Sequence, residues 1–217
     1  MRYYITLALS FLIFLPAILG WVRRKMVDPS FFPFLIVVWL NVLLQIFSAI
    51  ISHSQHHNLY VYNIYILAES LLMLWLFKNW RLFKNDNIYL FLGAIFVVLW
   101  VVETSFFTKL FDGYNSYFQI FYSFTLVLMS ISVMNEQLMK ERASLTKNSN
   151  FIICGAVVLY NTLALLTETF YAYGLELSLS FQSDVLFITT LVNVINNLLY
   201  ALAIKWMPRK KAFTLEY

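Results

Sequence analysis

The sequence predicts an all-α integral membrane protein, a bundle of seven transmembrane helices with its N-terminus outside and its C-terminus inside the cell. The chain is 61% hydrophobic and only 12% charged, whereas soluble domains average about 25% charged residues. Its mean hydropathy is +0.74. The apolar runs are continuous rather than alternating, which favours helices over the strands of a barrel. The basic residues form no contiguous face, so no nucleic-acid partner is expected, and the lipid bilayer is the expected surrounding.

Seven apolar runs are long enough to cross a membrane. A bilayer core is crossed by about 20 apolar residues in a helix. The predicted spans are 3–22, 31–52, 60–77, 88–107, 115–136, 150–172 and 184–206. We therefore divide the chain into a seven-helix domain, 1–207, and a short basic tail, 208–217. Asp28 or Ser30, beside Pro29, is the expected N-cap where the second span begins.

Basic residues are distributed unequally between the two sets of connections. With the N-terminus outside, Arg2 and Lys109 are the outer ones among the 15 Lys and Arg residues. The inner ones are Arg23, Arg24, Lys25, Lys78, Arg81, Lys84, Lys140, Arg142, Lys147, Lys205, Arg209, Lys210 and Lys211. Cytoplasmic connections carry an excess of Lys and Arg, so the charges predict this orientation.

Polar residues occur at helical spacing inside five of the spans. Such groups are costly in a bilayer and usually face the bundle interior. Residues that share one helix face are Asn41, Gln45, Ser48 and Ser52; Tyr62, Tyr65 or Ile66, Glu69 and Met73; Ser116, Gln119, Ser123 and Ser130; Asn161 and Glu168; and Asn193, Asn196, Asn197 and Tyr200. The first and fourth spans have few such groups. We therefore expect the other five spans to enclose a polar centre.

Glu69 is predicted to lie at the heart of this centre. At 1.5 Å per residue it is about 13 Å from the outer end of its helix. The spans offer it no cationic partner, so we expect a protonated carboxyl, a hydrogen bond to Asn or Tyr, or a bound cation. The predicted ligand-binding residues are Glu69, Asn41, Gln45, Tyr65, Gln119, Asn161, Asn193, Asn196 and Asn197. The alternative role for the amides is to join helices through hydrogen bonds.

All three histidines fall in the segment SHSQHHN, at the outer end of the second span. If the helix continues, His53 and His57 are neighbours one turn apart that could bind zinc or copper with an acidic ligand, and His56 lies between them. A solvated loop or a pH-responsive charge are the alternatives; no other cofactor is predicted. We interpret the segment as the mouth of the polar site. The acidic residues expected on the same outer rim are Glu103, Asp112, Glu168, Glu176 and Asp184.

Two strings, HNLYVYNIYILAESLLMLWLF and VINNLLYALAIKW, resemble small seven-helix bacterial membrane proteins and the membrane sensing regions of some sensor histidine kinases. The resemblance rests on Asn63, Glu69, Asn197 and Tyr200. It implies a sensory module in the bacterial cytoplasmic membrane. Residues 207–217 are too few for a kinase domain, so signalling is expected to need a separate cytoplasmic partner, bound at the basic inner connections.

Similarity between two segments of the chain favours a second function. WLNVLLQIF in the second span aligns with LYNTLALLT in the sixth, which pairs Asn41 with Asn161. A 3+1+3 parallel repeat of this kind resembles the sugar transporters of the SWEET and PQ-loop type, although this chain has no Pro–Gln pair. Three functions are therefore weighed: a receptor-like or sensory module with its ligand site around Glu69, a small-solute or proton-coupled transporter, and a membrane-embedded metal-dependent enzyme.

Overall fold

The structure is a computed structural model, and it describes residues 9–53, 59–83, 85–108, 113–140, 145–173 and 179–210. These residues form helices and no strands. The helices are α1 (Phe14–Arg23), α2 (Phe32–His53), α3 (Leu59–Asn79), α4 (Asp86–Val102), α5 (Ser116–Lys140), α6 (Ser149–Ala172) and α7 (Leu179–Trp206).

Within the described part of the chain, 6 helices are long and apolar enough to cross a membrane. The apolar helix Phe11–Arg23, which includes α1, is shorter. The predicted multi-pass helical architecture is thus confirmed, and the start of the first predicted span lies outside the described residues. A π-helical segment, Glu103–Thr108, continues α4 to the full length of its predicted span.

Local sequence sets several helix boundaries. The Asp28 carboxylate accepts a hydrogen bond from the Ser30 amide at 2.9 Å, with Pro29 at the first helical position. This confirms Asp28 as the cap that leads into α2. Asn85 caps α4 in the same way, accepting from the Asn87 amide at 3.0 Å. Arg81 has a φ of 59° just after α3 ends, a left-handed conformation common where helices terminate.

Six helices pack in a ring. Around the ring, α1 packs against α2, α2 against α3, α3 against α5, α5 against α6 and α6 against α7. Helix α7 packs against α1 and completes the ring. Helix α4 packs on the outside against α3 and α5. Only 11% of its span is buried, against 28% to 44% of the other five. The most extensive contact joins α5 and α6, where the small side chains of Ser130, Cys154 and Ala156 are buried and allow close approach.

Backbone hydrogen bonds close one end of this ring. The Asp28 amide donates to the Pro208 carbonyl at 2.9 Å, and the Lys210 amide donates to the Met26 carbonyl at 2.8 Å. The Arg23 guanidinium also donates to the last carbonyl groups of α7, which is favourable at the negative end of a helix dipole. We call these contacts between residues 23–28 and 204–210 the clasp. It joins the chain after α1 to the chain after α7.

The half of the bundle beside the clasp is densely packed. Phe34, Phe77, Ile153 and Ile204, from four different helices, are each 0% exposed. The Phe34 ring also meets the Tyr200 ring edge-on, with centroids 4.9 Å apart. These side chains form a continuous apolar layer between the clasp and the middle of the bundle.

Candidate ligand-binding site

A cavity of about 200 Å³ lies inside the ring, beyond the apolar layer. At about 30 Å³ per water it has room for roughly seven water-sized groups. Its lining residues come from α2, α3, α5, α6, α7 and the chain just before α1: Ser10, Ile13, Asn41, Leu44, Gln45, Tyr62, Tyr65, Glu69, Met73, Leu126, Val157, Tyr160, Asn161, Asn193, Asn196, Asn197 and Tyr200.

The sequence-predicted binding residues converge on this cavity with one exception. Glu69, Asn41, Gln45, Tyr65, Asn161, Asn193, Asn196 and Asn197 all line it, whereas Gln119 does not. Convergence follows from the spacing: each set occupies one face of its helix, and the ring turns those faces inward. That they bind a ligand remains a prediction.

Glu69 lies at the middle of the 21-residue helix α3. The hydroxyl groups of Tyr65 and Tyr122 are its side-chain hydrogen-bond partners. The single hydroxyl hydrogen of Tyr65 can be donated either to Glu69 or to the Asn41 side-chain oxygen, which lies 2.8 Å from the Tyr65 hydroxyl. The carboxyl group is therefore held by phenols, in a wall that it shares with uncharged amides.

The amides of α2 and α6 are arranged alike. Asn41 donates from Nδ2 to the Val37 carbonyl at 3.2 Å, one turn earlier. Asn161 donates from Nδ2 to the Val157 carbonyl at 3.0 Å, again one turn earlier. Because each side-chain nitrogen donates a hydrogen bond to a carbonyl of its own helix, the side-chain oxygen faces away from that carbonyl.

Helix α7 contributes three asparagines. Asn197 donates to the Asn193 side-chain oxygen at 3.5 Å. Asn196 is 4% exposed, and its Oδ1 is buried without a hydrogen-bond partner among the residues that the structure describes. A buried polar atom without a partner costs about 1–3 kcal/mol. The atom is also shielded from the cavity, so a bound molecule reaches it only if the Asn196 side chain rotates.

Gln119 and the serines of α5 lie elsewhere. Gln119 exchanges hydrogen bonds with the Tyr62 hydroxyl, at 3.0 and 3.3 Å. Ser123 and Ser130 are buried outside the cavity lining. The residue of α5 that lines the cavity is Leu126. The expected polar face of α5 therefore meets other helices, and α5 gives the site an apolar wall.

The turn before α1 takes part in the site, which the sequence did not predict. Gln45 donates from Nε2 to the Ser10 hydroxyl at 2.6 Å, and both residues line the cavity. Tyr160 of α6 was missed as well. Tyrosines in membrane proteins are typically interfacial, but Tyr160 lies near the middle of α6, and that depth was the available signal.

The outer acidic residues do not form one solvated rim. Glu103 is 4% exposed and accepts from the backbone amides of Tyr117 and Phe118, at 3.0 and 2.6 Å. It therefore caps the N-terminus of α5. Glu168 accepts from the Ser116 hydroxyl at 2.8 Å. Asp184 is exposed on α7, while Asp112 and Glu176 fall outside the described residues.

The histidine segment is only partly described. His53 is the last residue of α2, and His56 and His57 lie outside the described residues. Within the described ranges, no group of three or more His, Cys, Asp or Glu side chains could hold a metal ion. The zinc or copper site at His53, His56 and His57 stays a prediction.

No family model, curated protein or solved structure matches this chain at a significant level. The resemblance to kinase sensing regions thus stays a prediction. What the site can bind follows from its own side chains: one carboxyl group, several amides and four tyrosines around a small volume inside the bundle.

Proposed function

We propose that this multi-pass membrane protein is a receptor-like or sensory module that binds a small polar solute in the cavity around Glu69. One observation carries the proposal: polar groups from separate helices converge on a cavity that a packed apolar layer separates from the clasp. Small-molecule sites have this form, concave with a few convergent polar groups. In this proposal the chain resides in a bacterial cytoplasmic membrane, with the clasp in the cytoplasm.

The apolar layer needs fewer assumptions in a sensor than in a transporter. A transporter would have to open the path through Phe34, Phe77 and Ile204, each 0% exposed, in a second conformation. A sensor needs only to shift its helices. Asn193 and Asn196 line the cavity on α7, and the same helix ends at the clasp. A small movement of α7 on binding is therefore expected to reach the clasp and the basic connections, where a cytoplasmic signalling partner would bind.

A small-solute transporter is the second candidate, and a specific observation favours it. Asn41 and Asn161 are aligned by the internal sequence similarity. Each donates a hydrogen bond to the backbone carbonyl one helical turn earlier, and both line the same cavity. Helix α4 lies outside the ring between the two halves. Transporters built from parallel repeats place their site between the repeats near the midplane. In that case Glu69 would carry the coupled proton.

Ligand-dependent stability and flux separate the two candidates. The purified protein is screened by thermal denaturation with small amines, amino acids, polyols and carboxylates, and each stabilising compound is then tested for uptake into proteoliposomes. A sensor is expected to be stabilised without catalysing uptake, and a transporter to do both. Stabilisation should be lost in Glu69→Gln and kept in the matched variant Glu168→Gln, which changes a carboxyl outside the cavity. Stabilisation that survives in Glu69→Gln contradicts the assignment of the site.

A further inference from the structure

The cavity lining is unbalanced in charge. Glu69 is its one acidic residue, and Lys, Arg and His do not occur among the described lining residues. An anionic solute would meet a carboxyl group with no cation beside it, in a medium where unpaired charge is costly. A cationic solute would supply the missing partner.

The lining is also unbalanced in hydrogen-bonding capacity. A side-chain amide has two donors on nitrogen and one acceptor oxygen. Asn41 and Asn161 each turn the nitrogen to a backbone carbonyl of their own helix, because two carbonyl oxygens cannot bond to each other. The Asn41 oxygen is then used by Tyr65. The Asn161 oxygen therefore faces away from the Val157 carbonyl, and Asn161 lines the cavity.

Asn196 adds an independent observation. Its Oδ1 is buried and has no partner within the described part of the chain, and the residue lines the same cavity as Glu69. A ligand that only accepts hydrogen bonds cannot satisfy this atom. After a rotation that turns the Asn196 oxygen into the cavity, a ligand with several N–H donors can satisfy it together with the carboxyl group.

From these observations we infer that the ligand of the cavity is a small organic amine in its protonated form. An ammonium group has three donors and no acceptor, which matches Glu69, Asn161 and Asn196. Tyrosine faces also attract cations, and Tyr62, Tyr65, Tyr160 and Tyr200 stand in the same lining. The inference rests on the proposed function, since it names the class of solute for the same site.

Matched probes test the inference directly. Ethanolamine, butylamine and benzylamine are compared with their alcohols, ethylene glycol, butanol and benzyl alcohol, and with their acids, glycolate, butyrate and benzoate. Each set keeps its carbon skeleton and changes only one terminal group. The largest of them is close to the volume of benzene, which enters an engineered cavity of about 150 Å³. The readout is the concentration-dependent shift in thermal midpoint of the purified protein, with sodium chloride as a separate arm.

At least one amine is expected to bind tenfold or more tightly than its alcohol and its acid. Glu69→Gln should remove most of that preference, because hydrogen bonds to charged groups contribute about 1.5–3 kcal/mol, a factor of roughly ten or more in affinity. Asn196→Ala should weaken amine binding by a smaller factor, and it tests the inference if Glu69→Gln does not fold. Glu168→Gln should bind amines as the unchanged protein does.

Three outcomes overturn the inference. The first is that no amine binds more tightly than its alcohol. The second is that the preference for amines persists in both Glu69→Gln and Asn196→Ala. The third is that sodium chloride alone gives the same Glu69-dependent stabilisation, which would assign the site to a metal cation. If an alcohol or acid binds as tightly as its amine or more tightly, and this binding depends on Asn196 or Glu69, the amine inference fails while the proposed solute site stands.

Discussion

Two polar clusters inside this bundle contain similar residues and differ in how their hydrogen bonds are used. The first joins α3, α4 and α5: Asn63 donates to the Gly113 carbonyl at 2.9 Å and accepts from the Asn115 amide at 3.2 Å, while Trp100 donates to the Asn63 carbonyl at 2.8 Å. Asn115 in turn donates to the Thr104 hydroxyl at 2.7 Å. The second cluster is the cavity, where the Asn196 oxygen has no partner among the described residues.

The two carboxyl groups differ in the same way. Glu103 accepts hydrogen bonds from two backbone amides at the start of α5, so both of its carboxylate oxygens are hydrogen-bonded within the fold. Glu69 faces a cavity. Glu103 therefore makes a structural contact, whereas Glu69, which is hydrogen-bonded to the Tyr65 and Tyr122 hydroxyl groups, also lines the cavity. Five substitutions test this distinction, from the largest expected effect to the smallest.

Asn63→Ala should destabilise the protein most. It removes two side-chain hydrogen bonds and leaves the Asn115 amide and the Gly113 carbonyl short of a partner. With about 1 kcal/mol per lost bond and about 1–3 kcal/mol for a buried unpaired group, we expect a loss of about 2–4 kcal/mol. Thermal denaturation of the purified protein measures it. A loss below that of Glu69→Gln would contradict the structural role of this cluster.

Glu69→Gln should change function much more than stability. The amide keeps the shape of the carboxyl and removes the charge, so amine affinity is expected to fall tenfold or more. The free energy of unfolding should stay within about 1 kcal/mol or rise, since functional sites often sacrifice stability. Titration of an amine probe and thermal denaturation of the same preparation give both numbers. Severe destabilisation with unchanged affinity would reverse the assignment.

Asn196→Leu should stabilise the protein without ligand. Leucine has a similar size and removes a buried acceptor that has no partner, a gain of about 1 kcal/mol. Binding of an amine probe should weaken in the same variant. Its thermal midpoint, measured with and without the probe, checks both effects. If the midpoint falls without ligand, the Asn196 oxygen is already satisfied in the free protein.

Gln119→Leu should have a small effect on binding. Gln119 contacts the cavity only through Tyr62, so we expect amine affinity to change by about twofold, within the range of a lost neutral hydrogen bond. A tenfold loss in a titration of the purified variant would place Gln119 among the ligand contacts, as the sequence predicted.

His53→Ala should have the smallest effect. A substitution at the last residue of a helix, away from the core and the caps, is usually worth about 0.5 kcal/mol or less. Elemental analysis of the purified protein tests the metal hypothesis in parallel. Stoichiometric zinc or copper that disappears in His53→Ala would support the histidine site and the metal-dependent enzyme.

Helical spacing predicted much of the cavity because period and depth can be read from the chain. Glu69, Asn161 and Asn196 each lie on a polar face near mid-span. Gln119 lies on a polar face too, but both faces of α5 meet other helices, and only the rotation of the packed helix decides which one faces the cavity. The scarcity of polar residues in the fourth span correctly indicated that it does not line the site.

Two features depended on contacts distant in sequence. Ser10 lines the cavity because the chain before α1 lies against Gln45 of α2, and a single serine inside the predicted span 3–22 gives no such signal. Glu103 was expected on an exposed rim. It is instead buried as the cap of α5, because the π-helical segment after α4 brings it beneath the first amides of that helix. The sequence locates polar groups by depth, and it does not say which of them meet.

The clasp has a consequence for biosynthesis. Ribosomes make α1 first and α7 last, yet these two helices are neighbours, joined by hydrogen bonds from Asp28 to Pro208 and from Lys210 to Met26. A nascent chain that has inserted only α1 to α6 lacks three asparagines of the site and has no partner for Arg23. The ring therefore closes only when α7 enters the membrane, so the cavity is incomplete until that helix is in place.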